Sequence, residues 1–206
     1  MNATSESPSQ ASSTRATAVA PTSNLSTKER LLEAAKDLFH QQGIASTTIA
    51  NIAQAAGVPI GNVYYHYRSK DSLLEAVLEA HKNDILRDLE IAKREATPLK
   101  RLKALVRDSE RNLQLLTEHS CPYASLAQRL RDEANPLADQ AGSLLELYIE
   151  FAFSEFKALN KRDARDLAND FIVRLYGAYT LANSVGDAGF LKRQLKRIET
   201  WLETVV

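Results

Sequence analysis

Four polar-tipped rings stand in a row at Tyr64, Tyr65, His66 and Tyr67, preceded by Ile60, Gly61 and Asn62 and followed by Arg68 and Lys70. Phenols, an imidazole, an amide and two cations are donors suited to phosphate oxygens and base edges. The nearest acids on either side are Asp37 and Asp71, so residues 38–70 hold none. With 26 acids in 206 residues, a window of 33 would carry about four. A surface cleared of carboxylates suits a phosphate partner, because each negative charge would oppose counterion release. A chance gap on a Ser/Thr-rich surface is the competing explanation of the charge pattern taken alone.

A second group of reactive side chains surrounds the single cysteine. Cys121 lies in the run H-S-C-P-Y, where a helix is expected to begin, and a helix N-terminus lowers a thiol pKa. That would suit a redox- or electrophile-sensing thiol, although a lone cysteine in a helical chain is commonly a small buried apolar residue. His119 and Cys121 are two metal ligands without a third nearby, so no metal is expected. Glu118, His119, Asp132 and Glu133 are the acid–base candidates of a helical enzyme. No spaced carboxylate pair or phosphate loop accompanies them, and an enzyme is not expected. Aromatics concentrate at Tyr148, Phe151, Phe153, Phe156, Phe171, Tyr176 and Tyr179. Such stripes are core more often than cage, but together they suggest an apolar cavity with hydroxyls to orient a ligand. The ligand-binding candidates are Cys121, Tyr123, Tyr148, Phe151, Phe171 and Tyr176. They suit a small hydrophobic or aromatic molecule, and no cofactor is implied.

These groups need elements to hold them. The chain is 44% hydrophobic and 25% charged, enough for a core without disulfides or metals. Basic and acidic residues number 26 each, so any nucleic-acid contact must come from a local patch. Seven Gly and six Pro are little turn material for an all-β fold. No stretch approaches about 18 consecutive apolar residues, and the start lacks the charged and apolar regions of a secretory signal, which points to the cytoplasm and no membrane. Residues 1–25, rich in Ser, Thr, Ala and Pro with Arg15 their one basic residue, are expected to form a disordered tail.

From Ser26 onward apolar residues recur at helical spacing. Ser26 with Glu29 is a capping-box pattern and Gly43 a left-handed stop. A short helix is expected from Thr48 to Ala55 with Ile49, Ile52 and Ala53 inward, then a third over about Ile60 to Tyr65. Ser69 opens a long fourth helix. Thr97-Pro98, Ser120 to Pro122 and Asn135-Pro136 mark later starts. Further helices run up to Asn160, from Asp163 to Ser184, and after the VGDAG break to the end. The expectation is an all-α protein of about nine helices, with a DNA-binding domain over residues 26–70 and a larger helical ligand-binding and dimerisation domain over residues 71–206.

The small residues Ala53, Ala55, Ala56 and Gly57 between the second and third helices suit a helix-turn-helix, whose second member enters the major groove. The stretch TTIANIAQAAGVPIGNVYYHYRSKDSLLEAV resembles the N-terminal domain of the tetracycline-repressor (TetR) family of bacterial transcriptional regulators. The resemblance covers about residues 27–80. It implies a homodimer that binds a palindromic double-stranded DNA operator and whose C-terminal helices bind a small-molecule inducer. On this resemblance Thr47, Thr48, Tyr64, Tyr65, His66 and Lys70 would reach phosphates, and Ile60, Gly61 and Asn62 would lie nearest base edges. Pro59 and Ile60 depart from the Ser or Thr and the polar residue common there, and Ile60 suits a thymine methyl. Tyr67 with Val63 is expected to pack underneath as core. The reading is a repressor released by its inducer; the alternatives are an activator or a redox- or electrophile-sensing regulator acting through Cys121. For the dimer, the apolar sets Ala164, Leu167, Phe171, Leu175, Ala178 and Leu191, Leu195, Ile198, Leu202 suggest a four-helix bundle with a partner's copy; capping the monomer's own core is their other use.

Overall fold

Side-chain caps decide where several helices begin. Ser26 and Glu29 exchange hydrogen bonds with each other's backbone ahead of α1 (Thr27–Gln42), and Thr48 and Asn51 do the same ahead of α2 (Ile49–Ala56). Gly57, at φ 65° and ψ 40°, turns the chain left-handed and returns its N–H to Ala53 and Gln54, so that α3 (Ile60–His66) starts three residues later. Ser69 caps α4 (Lys70–Lys93) and Thr97, with Pro98 in the first turn, caps α5 (Pro98–Arg111). After α6 (Leu113–His119) come α7 (Pro122–Asp132), α8 (Ala138–Ala158), α9 (Ala164–Val185) and α10 (Ala188–Val205), the last capped by Asp187. This computed structural model describes residues 25–206, and among them every regular element is a helix. The tail expected over residues 1–25 lies, but for Leu25, outside the described residues.

The ten helices are the nine expected with one of them in two pieces: the chain bends at Asn112 between α5 and α6, with no proline or glycine to announce it. Two caps fall elsewhere than expected. Cys121, not Ser120, immediately precedes α7, and Asn135 spends its side chain on the Leu137 N–H before α8 starts at Ala138. Gly43 has a positive φ of 84°, but its ψ of 164° is extended rather than left-handed helical.

Leu31, Ala35, Phe39, Ile52, Val63 and Tyr67 are buried together beneath α1 to α3. Val63 and Tyr67 form the underside of α3, as its sequence suggested. Each fully buried Leu, Ile or Phe contributes about 1.5–3 kcal/mol, so a few such residues hold a three-helix unit only when α4 adds Leu73, Leu74 and Val77 beneath it. α4 continues into the larger body against α8, which makes it common to both parts.

Three further contacts tie α1 to the body. Lys36 reaches Asp84 at 2.7 Å, Arg129 donates to the Phe39 carbonyl at 3.4 Å, and the His40 Nε2 donates to the His119 and Ser120 carbonyls at 3.0 and 3.3 Å. Ser120 sits at φ 62° in that turn, which carries its carbonyl toward α1. Burial lowers the His40 pKa against these hydrogen bonds, and the nearby His119 and Arg129 lower it further.

The helical stripes offered for dimerisation face inward. Ala164, Phe171, Leu175, Ala178, Leu191, Leu195, Ile198 and Leu202 are all buried in the monomer's own core, and Leu167 packs against it. A different set remains outside on α9: Val173, Leu181 and Val185 are 69%, 55% and 64% exposed. Both sets are apolar and helically spaced, so periodicity alone did not separate them.

Candidate nucleic-acid interface and ligand cavity

The outer side of α3 carries Ile60, Gly61, Asn62, Tyr64 and Tyr65 in the open, with Tyr65 86% exposed. Seven residues make two turns, so anchoring Val63 and Tyr67 inward leaves the intervening positions pointing out. A Cβ built on Gly61 meets nothing within 4 Å among the described residues, so none of them requires glycine there. His66 is half-buried and packs edge-on against Tyr65, ring centroids 5.0 Å apart; Lys70 is half-buried in the first turn of α4. Thr48 is exposed at the start of α2, but its hydroxyl donates to Asn51 at 2.6 Å within the cap. Thr47 is the correction in this set. It is fully buried, and its hydroxyl donates to the Gly43 and Leu38 carbonyls at 2.7 and 3.3 Å, so it braces the α1–α2 turn and has nothing to offer a phosphate. Adjacent threonines in sequence took opposite sides because Thr48 entered the cap and Thr47 preceded it.

In the body, α4 to α9 enclose a cavity of about 280 Å³. Four phenols run along it: Tyr123 to Tyr148 at 6.2 Å between centroids, Tyr148 to Tyr176 at 6.4 Å, and Tyr176 to Tyr179 at 5.4 Å. Tyr179 is hydrogen-bonded to the buried Ser109 of α5. Burial raises the pKa of all four phenols, which keeps them protonated and able to donate. Of the candidates drawn from sequence, Cys121, Tyr123, Tyr148 and Tyr176 line this space. Phe151 and Phe171 do not: both are buried in the core, Phe171 stacked on Trp201 at an interplanar angle of 10°. Their side chains sit on other faces of α8 and α9, and composition could not tell the faces apart. The sequence reading missed the polar wall made by Asp88, Asp108, Ser109, Arg111 and Asn112. Its signal was polar residues on the inner sides of α4 and α5.

Cys121 is buried, with the Tyr176 hydroxyl against it, and burial pushes its thiol up, overriding the lowering expected at a helix start. Its neighbour His119 gathers no metal set: no group of three or more His, Cys, Asp or Glu placed to hold an ion occurs among the described residues. No described helix is long and apolar enough to cross a membrane.

His81 of α4 is buried and packs edge-on against Tyr123, centroids 5.1 Å apart. Burial, then the nearby Lys36, lowers its pKa from 6.5 to about 4, with Asp84 opposing and His40 adding. Below about 6.5 the unfolded chain therefore binds a proton that the folded chain refuses. Stability from this group is complete above that pH and is lost as pH falls toward 4, by up to about 3 kcal/mol. Urea midpoints at pH 7.5 and pH 5 should show the loss, and His81→Leu should flatten it; an unchanged pH profile in that variant would remove His81 as the cause.

Comparison with known proteins adds to this geometry. Residues 31–77 match the family described as bacterial regulatory proteins, tetR family. The HTH-type transcriptional regulator TtgR of Pseudomonas putida is 41% identical over 54 residues, 26% of each chain. The HTH-type transcriptional repressor KstR2 of Mycolicibacterium smegmatis is 29% identical over 113 residues, 54% of this chain and 55% of that one. The chain thus spans between a quarter and just over half of the length of these curated relatives. Solved structures extend the likeness of fold to nearly the whole chain. A TetR-family regulator from Streptomyces coelicolor superposes with a TM-score of 0.74 at 19% identity, covering 87% of this chain and 95% of that one. A TetR regulator from Legionella pneumophila gives 0.73 at 22%, covering 89% and 99%. The helix-turn-helix unit over residues 31–77 thus belongs, by sequence, to the tetR family of bacterial regulatory proteins, and the helical body behind it shares the fold of TetR-family structures.

Proposed function

We propose that this protein is a ligand-responsive, DNA-binding repressor that acts as a homodimer on a palindromic operator and is released by a small, largely hydrophobic or aromatic inducer. The observation that carries the reading is the outward face of α3, where Ile60, Asn62, Tyr64 and Tyr65 stand exposed on a surface free of carboxylates from residue 38 to 70. Such a face meets base edges through its centre and phosphates through its rim, with Tyr65, His66 and Lys70 on the phosphate side. The acid–base candidates of an enzyme do not converge: Glu118 accepts from Gln114 and Asp132 from Gln128, each within its own surface turn.

The cavity supports the ligand part of the reading through its neighbours. Asp88, Ile91 and Ala92 of α4 line it, and so does Cys121, directly after the Ser120 carbonyl that receives His40. A ligand that spreads α4 from α7 would therefore move both connections to the helix-turn-helix unit and change the separation of the two recognition helices in a dimer.

Gel-shift titration of the full chain on the DNA flanking its own gene should show specific binding that weakens as salt rises; no binding at low salt would end the proposal. Tyr65→Ala and Lys70→Ala should each weaken that binding about tenfold while the dimer persists on a sizing column. Dissociation to monomers by either variant would contradict the division of labour.

A further inference from the structure

Among the described residues, one carboxylate in the cavity wall lacks a partner. Of the acids on that side, Asp84 is held by Lys36 at 2.7 Å and Arg87 at 2.8 Å, and Asp108 by Arg111 at 2.9 Å. Asp88, half-buried on α4 and lining the cavity, has no hydrogen bond or ion pair among the described residues. Burial and then Asp108 push its carboxyl upward; Arg87 and Arg111 oppose this and Asp84 adds to it. Its charge is felt inside the cavity, where it adds to the effect of burial in holding the Tyr123 and Tyr148 phenols protonated. Those rings and Tyr176 line the same cavity, and an aromatic ring attracts a cation that lies over it.

We propose that the cavity takes an organic cation, with its charged nitrogen at Asp88 and its apolar body among Tyr123, Tyr148 and Tyr176. The proposal rests on the ligand-responsive reading above and narrows it. A cation offsets the cost of a half-buried, unpartnered carboxylate near Asp108 and gains from the aromatic rings as well. A neutral body of the same size gains apolar burial alone, and an anion is repelled. Arg111, the one cation in the wall among the described residues, is taken by Asp108.

Calorimetric titration of the full chain with naphthylmethyl-trimethylammonium, naphthylmethanol and naphthylacetate tests this. The ammonium probe should bind at least about tenfold more tightly than the acetate. Asp88→Asn should weaken the ammonium probe about tenfold and the alcohol by less than about threefold. An ammonium affinity unmoved by Asp88→Asn, or an acetate that binds as tightly as the ammonium, would overturn the proposal. The ligand-responsive reading would survive that result wherever the alcohol still binds, and would fall with the proposal if none of the three binds. Should Asp88→Asn fail to fold, the comparison of the three probes on the unaltered chain decides by itself.

Discussion

Leu181→Glu is expected to turn a dimer into a monomer and to cut affinity for a two-half-site operator by at least about a hundredfold. Val173, Gly177, Leu181 and Val185 succeed one another at intervals of four along α9 and form one ridge on its outer side. Three of them are large, apolar and more than half exposed, which leaves a surface that a second copy of the same ridge can cover. Among the described residues nothing stands within 4 Å of a Cβ built on Gly177 beyond its own helix backbone and chain neighbours, so two backbones can come close at that point. A carboxylate at the centre of such a ridge would be buried against its own symmetry mate, which adds one like-charge repulsion and two desolvated carboxylates per dimer. Loss of the dimer removes the second half-site and with it the gain from tethering. Light scattering gives the mass and fluorescence anisotropy on a labelled duplex gives the affinity. A Leu181→Glu protein that remains dimeric would place the interface elsewhere.

Phe171→Ala is the largest stability change expected, a loss of about 3–5 kcal/mol. Phe171 is fully buried and lies flat against Trp201, with Phe156 meeting the same indole edge-on at 6.3 Å. Arg174 covers the indole from another side, 4.6 Å from its centroid. Truncation opens a void among rigid rings belonging to α8, α9 and α10, which cannot collapse without moving whole helices. Urea denaturation should show a lower midpoint. Because Phe171 is no part of the cavity wall, the folded variant should keep its ligand affinity. A drop below about 1 kcal/mol would mean that the three helices close over the gap.

The front of the molecule was legible from sequence because its signals are local. Ser26 with Glu29, Gly57 and Ser69 each act within one turn of the chain, and each cap or turn sits where those residue types require. The outward face of α3 was legible for the same reason: with Val63 and Tyr67 inward, a seven-residue helix leaves little choice about which of the rest are exposed. Thr47 escaped because its buried role depends on the Leu38 and Gly43 carbonyls, which the sequence does not display. The body was less legible because its helices are apolar on more than one side. Phe171 and Tyr176 share α9, yet one serves the core and the other the cavity. That distinction depends on how six helices pack, a long-range property with no short-range mark. The buried thiol of Cys121 shows the same limit, since a helix start and the surrounding phenols act on it in opposite directions and only the packed structure decides between them.

The hydrogen bonds of His40 end on main-chain oxygens of residues 119 and 120, not on their side chains. The hydrogen-bonded part of this joint is indifferent to spelling, although the His119 ring also packs edge-on against His40. The two receiving positions can drift in identity while the connection endures, provided the chain still tolerates the turn at residue 120, whereas the imidazole has no such latitude. On the proposed function, the cavity wall next door is thereby free to be rewritten for new ligands without first inventing a new way to reach the helix-turn-helix unit.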